Sequence, residues 1–112
     1  MRVISQDGTI DVPYEYFSLS MSSGKYEDVE VAYIYCHNLS SPNGTKLAEY
    51  STKAKAIKAM EMLREHNEGV IFLKTIINTE KGTTFVSSLS KTDFNELTQN
   101  YFQFPQDDEI EV

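Results

Sequence analysis

Over the first fifty positions apolar and polar residues alternate largely with a period of two, the spacing of half-buried strands. Arg2-Val3-Ile4-Ser5 and Thr9-Ile10-Asp11-Val12 flank Asp7-Gly8, a strong hairpin signal. Pro13 limits ladder pairing, so the second strand either lies on an edge or ends there. Tyr16 to Met21 predicts a third strand, and Ser22-Ser23-Gly24-Lys25 reads as a turn. Val29 to Cys36 is the clearest strand, with Val29, Val31, Tyr33 and Tyr35 on one face. A polar loop from His37 to Thr45 follows, and Lys46 to Tyr50 returns as the second arm of a hairpin.

The period then changes to 3–4. Ala56, Met60 and Leu63, with Ile57 and Ala59, make one apolar stripe, so the chain is helical from about Thr52 to His66. Ser51 or Thr52 can cap this helix and Gly69 can stop it. The stripe is of core type and packs on the sheet. Val70 to Ile77 is long, apolar and β-branched and predicts a strand, paired after a turn at 78–82 with Thr83 to Leu89. Thr92 to Tyr101 reads as a short helix with Asp93 and Glu96 in its first turn. Tyr101-Phe102-Gln103-Phe104 is apolar enough to dock on the body or on a partner. The expected fold is α+β: an antiparallel β-sheet with one main helix packed on a face, plus a C-terminal hairpin and short helix. Residues 1–105 form a single domain, and 106–112 form an acidic, flexible tail.

Composition narrows the function classes. The chain has 112 residues, enough for one modest core, and no apolar run near the 18–20 residues that cross a bilayer. Its start lacks the apolar stretch of a secretory signal, and a single cysteine, Cys36, gives no disulfide framework, which fits a reducing cytoplasm. The net charge is −7; residues 92–112 carry −6 of it with no Lys or Arg, leaving −1 for the rest. Such a balance disfavours direct nucleic-acid binding. The tail acids Asp107, Asp108, Glu109 and Glu111 are either solubilising or candidates for contact with a basic partner.

No catalytic constellation stands out: the chain lacks a phosphate-binding loop, a dinucleotide turn and a nucleophile elbow. Cys36 and His37 are adjacent but lack the further ligands a metal needs, and His66 suits the helix C-terminus as a cation. The chain therefore reads as a non-enzyme with no cofactor and no metal. The helix start is less ordinary. Ser51-Thr52-Lys53-Ala54-Lys55-Ala56-Ile57-Lys58 places lysines where helices normally place acids. Free N–H groups, two hydroxyls and lysines make a candidate anion or phosphate site. The alternative is that Lys53, Lys55 and Lys58 are solvated or pair with Glu49, Asp28 or Glu30. Seven tyrosines and six phenylalanines exceed what so small a core needs, and Tyr14, Tyr16, Phe17 and Tyr26 cluster in polar sequence. They are either sheet-face aromatics or part of an oligomer or partner interface.

The opening Met1-Arg2-Val3-Ile4-Ser5-Gln6-Asp7-Gly8-Thr9-Ile10-Asp11-Val12-Pro13-Tyr14-Glu15 is one of three phrases that carry a resemblance. The others are Leu47-Ala48-Glu49-Tyr50-Ser51-Thr52 with the helix end Met60-Glu61-Met62-Leu63-Arg64, and Phe102-Gln103-Phe104-Pro105 with the acidic tail. Together they resemble a group of small phage and prophage proteins of Gram-positive bacteria, across roughly half the chain. The resemblance implies a cytoplasmic role in a bacterial host, possible counter-defence among its options. One expectation is an oligomer that sequesters a nucleotide-derived immune signal. Ser51, Thr52, Lys53 and Lys55 would then hold phosphate, with Phe85 and Asn95 as ligand-binding candidates for base stacking and hydrogen bonding. The rival is an acidic module that blocks a basic surface of a host defence protein, and a structural or regulatory phage accessory role is the third.

Overall fold

The computed structural model describes residues 1–38, 41–76, 79, 81 and 100–111. Its elements are β1 (Arg2–Ile4), β2 (Asp11–Pro13), β3 (Ser18–Tyr26), β4 (Val29–Asn38), β5 (Ser41–Tyr50), α1 (Lys53–Ile76) and β6 (Tyr101–Gln103), with 3-10 turns at Tyr14–Tyr16 and Asp107–Glu109. The fold is α+β. A three-stranded antiparallel meander, β3-β4-β5, carries α1 on one face, and a mixed sheet of order β2-β1-β6 stands beside it.

Strands β1 and β2 pair as a hairpin whose reversal includes Asp7-Gly8, but not as the two-residue turn the dipeptide predicts: the last ladder pair is Ile4–Asp11, and the Gly8 N–H donates to the Ser5 carbonyl at 3.0 Å. Gly8 takes φ +78°, open to glycine at little cost, and the Asp7 carboxylate accepts from the Thr9 N–H (3.0 Å), Thr9 Oγ1 (2.7 Å) and Ser5 Oγ (2.7 Å). These bonds, led by the Thr9 hydroxyl, pull the exposed carboxyl down to about 2. Phe102 pairs in parallel with Val3, so the 101–104 segment docks on the body.

Three local expectations change. Ser22-Ser23-Gly24-Lys25 is not a turn; it continues β3 opposite Tyr33, Ala32, Val31 and Glu30, and the chain reverses at Glu27-Asp28 instead. Matching the long β4 strand residue for residue overrides the local turn chemistry. At the β4–β5 end Asn38 faces Ser41, so most of the expected 37–45 loop is strand. Gly44, at φ +83°, makes that possible: a Cβ there would lie 2.5 Å from the His37 ring.

The third change is the helix. It does not stop at Gly69 but runs to Ile76, some 36 Å at 1.5 Å per residue. Ala56, Ala59, Leu63 and Val70 are all buried at spacings of three, four and seven, so the core stripe passes straight through the glycine. A buried apolar stripe outweighs the roughly 1 kcal/mol that an interior glycine costs and the β-branched character of 70–77. The first arm of the expected C-terminal hairpin is therefore helical over 70–76. Its second arm, 83–89, and nearly all of the helix expected over 92–101 lie outside the described residues.

One core joins all the layers. Val3, Ala32, Ile34, Leu47, Ala48, Tyr50, Ala56, Ala59, Leu63 and Phe104 are essentially sealed from solvent. On β4 the inward face is Ala32, Ile34 and Cys36, which leaves Val31, Tyr33 and Tyr35 half-buried on the other side. Burial pushes the Cys36 thiol up, which keeps it protonated and unreactive. No described helix is long and apolar enough to cross a membrane.

Candidate functional site

The helix start holds anions, and the anions are the chain's own. Thr52 caps α1, its Oγ1 accepting from the Lys55 N–H at 3.1 Å. Two residues before Lys55, the Lys53 N–H donates to Glu30 Oε1 at 2.8 Å. Asp107, from the acidic segment, binds just before the cap: its Oδ1 accepts from the Ser51 N–H at 2.8 Å, and both carboxylate oxygens lie 3.0 Å from Ser51 Oγ. Lys55 Nζ closes the set at 2.8 Å from the Asp107 carbonyl and 3.3 Å from Oδ2. The Ser51 N–H above all, with the Ser51 hydroxyl and Lys55, holds the Asp107 carboxyl below the usual carboxylate range. Electrostatically this is the arrangement expected for a phosphate: N–H groups, hydroxyl and ammonium around one anion.

Ser51, Thr52, Lys53 and Lys55 are thus brought together, although Lys53 contributes its backbone and not its exposed ammonium. Phe85 and Asn95 lie outside the described residues. Of the tail acids, Asp107 is engaged at the helix start, and Glu109 Oε1 accepts from the Gln106 N–H at 2.8 Å. Asp108, Glu109 and Glu111 are exposed. Residues 106–111, expected as a flexible tail, are folded onto the body: Ile110 is buried, and the Pro105 carbonyl accepts from Tyr50 Oη at 2.8 Å and Gln6 Nε2 at 3.1 Å. Burial first, then the charges of Asp107 and Glu109, push the Tyr50 hydroxyl up.

Sequence reasoning offered Glu30 as a partner for the lysine ammonium groups, whereas it accepts from the Lys53 backbone N–H; it missed Asp107 as a ligand of the helix start and Gln6 as the joint between sheets. The Gln6 N–H donates to the Leu47 carbonyl at 2.8 Å, its Oε1 accepts from the Glu49 N–H at 2.9 Å, and it thereby covers part of the β5 edge. The one legible signal was the absence of acids from the first turn of α1, which required carboxylates from elsewhere.

Among the described residues no group of three or more His, Cys, Asp or Glu is placed to hold a metal. The aromatics divide. Tyr14 and Phe17 pack against the core, whereas Tyr16 and Tyr26 are more than 70% exposed. Tyr33, Tyr35 and His37 form a row on the outer sheet face with centroids 6.0 and 6.3 Å apart, and Lys46 Nζ stands 5.5 Å from the Tyr33 ring. The described surface carries small depressions, two of which lie near these elements. One, of about 210 Å³, is lined by polar Gln6, Asp7, Lys46 and Glu49 with Leu47 and Ala48; the other, of about 290 Å³, by Met21, Ile57, Met60 and Arg64. Both fall below the roughly 300–1,000 Å³ usual for sites that enclose a small molecule. No protein-family model, curated protein or solved structure matches the chain.

Proposed function

We propose that the chain is a non-enzymatic, phage-type protein of the bacterial cytoplasm that acts through an acidic protein-binding surface, blocking a basic, nucleic-acid-binding surface of a host defence protein. The observation that carries this reading is the occupancy of the helix start by Glu30 and Asp107. A free phosphate must displace a carboxylate already held by two hydrogen-bonding groups of Ser51 and by Lys55. The acids left facing solvent include Glu27 and Asp28 at the β3–β4 tip and Asp108 and Glu111 beside the C-terminus. At the tip they are flanked by Tyr26 and Val29, 75% and 66% exposed. A charged rim around exposed aromatic area is the composition of a protein interface.

Sequestration of a nucleotide-derived signal by an oligomer is the second reading. It is favoured by the same donor set, which would receive a phosphate in place of Asp107. Native mass spectrometry against a panel of cyclic and linear nucleotides, paired with capture from host extract, separates the two. The first reading expects no adduct and a basic protein that is captured by the native chain, released by salt, and lost with Glu27→Lys/Asp28→Lys. A saturable nucleotide adduct that disappears in Lys53→Glu/Lys55→Glu overturns it in favour of the second.

A further inference from the structure

We infer that the outer edge of β3, with the groove between it and α1, is a docking site for an extended segment of a partner protein that carries acidic residues on either side of apolar ones. It adjoins the acidic tip proposed above at Tyr26, but it rests on separate observations and can fail without that reading.

The backbone comes first. Strand β3 runs nine residues, Ser18–Tyr26, and among the described residues it pairs only with β4. An edge of that length, about 30 Å, exposes a row of N–H and C=O groups. Proteins ordinarily blunt such an edge with proline, several charges, a bulge or a covering element. Ser-Leu-Ser-Met-Ser-Ser-Gly-Lys-Tyr has no proline and one charge, and its register with β4 is unbroken. The opposite edge of the same sheet, on β5, is partly covered by Gln6.

Side chains then define the occupant. Leu19 and Met21 pair with Cys36 and Ile34, whose side chains are buried, so the odd positions of β3 face the helix side. Beside Met21, α1 presents Ile57, Met60 and Arg64, spaced to share one helical face, and the four residues line the open groove of about 290 Å³. Ile57 is 41% exposed, a large apolar side chain not covered by any described element. A strand added along β3 directs every second side chain into this groove, where apolar residues meet Met21, Ile57 and Met60.

Charge settles which strand. Among the described residues Arg64 is the only charged one lining the groove, and Lys25, on the same side of β3 and in register with Glu30 of β4, is the only charged residue of the strand. Both are exposed, and no carboxylate among the described residues lies within ion-pair distance of either. Acidic side chains toward the two ends of the added segment answer them. A second copy of this chain is a poor fit, since antiparallel β3–β3 pairing brings the Lys25 of each copy toward the Arg64 end of the other.

The test uses a fluorescein-labelled peptide, acetyl-Glu-Thr-Val-Thr-Val-Thr-Glu-amide, its counterpart with lysine at both ends, and a version with proline at the centre. Anisotropy is measured against the full chain, and amide shifts are followed by NMR. The expected result is saturable binding of the acidic peptide alone, with shifts confined to 18–26 and 57–64. Arg64→Glu and Met21→Lys should each weaken binding about tenfold or more while the melting temperature stays near that of the native chain. Equal binding of all three peptides, no binding, or binding unchanged in both variants overturns the proposal. So does a concentration-dependent dimer that shifts the β3 amides without peptide, which would make a second copy the occupant.

Discussion

Replacing Asp107 by alanine removes one carboxylate that serves two elements at once. In the native chain it accepts from the Ser51 N–H and hydroxyl, just before α1, and from Lys55 one turn inside it. Loss of a capping acceptor costs about 1 kcal/mol, within a range of roughly 0.5–2. The Lys55 pair adds only a few tenths, because the Asp107 side chain is 41% exposed and water screens it. A total of about 1–1.5 kcal/mol lowers the melting temperature of a domain this size by roughly 4–8 °C. The pH dependence gives a second handle. The folded-state carboxyl is held below its ordinary value, so its stabilisation is present above about pH 4 and is lost as pH falls below that. Thermal melts followed by circular dichroism should therefore show the full gap between native and Asp107→Ala chains at pH 7, closing as pH is lowered from 4. Equal melting temperatures at pH 7, or a gap that persists unchanged into acid, would refute the assignment of Asp107 as the ligand of the helix start.

The β3–β4 reversal offers a stabilising change. Glu27 and Asp28 sit at φ 51° and 64°, a conformation that favours Asn-Gly, so Glu27→Asn/Asp28→Gly should raise stability by about 1 kcal/mol in urea titration, with no gain counting against the strain. At the other end of the pH scale, the Tyr50 hydroxyl is raised in the folded chain, so its contribution is complete below pH 10 and lost as pH rises beyond it. Tyr50→Phe, which removes the bond to the Pro105 carbonyl, should cost about 1 kcal/mol at pH 7, and the two melting curves should converge above pH 10.

Those parts of the fold that rest on short-range chemistry were legible before any coordinates. Asp7-Gly8 specifies its turn through hydrogen bonds within five residues, and the alternation of 29–36 marks a strand with one buried face. The helix start was legible as an anion site because capping hydroxyls, lysines and missing first-turn acids are all local facts. Of its occupants, Glu30 was offered only as one of three partners for the lysines, and Asp107 was not legible there, since it lies 52 to 56 residues after the donors it serves. Val70-Ile71-Phe72 misled for a related reason. A short apolar run has no period of its own, and only the burial of Val70 in register with Leu63 shows that the helix continues. The acidic composition of 107–111 spoke for solvent, while Ile110, one apolar residue among acids, anchors the segment in the core.

The parallel pairing of β1 with β6 has a consequence for how the chain is made. Arg2 leaves the ribosome 99 positions before its partner Tyr101. At about 5–20 residues per second, that is a wait of roughly 5–20 s. Throughout it, Val3, sealed in the finished protein, lacks Phe102 beside it. The meander and the helix, built from near neighbours, can form during synthesis, but the β1–β2 hairpin must stay open on one side until residues 101–103 arrive. A nascent chain stalled before residue 101 would present that open side, and chaperones or proteases would meet it there first.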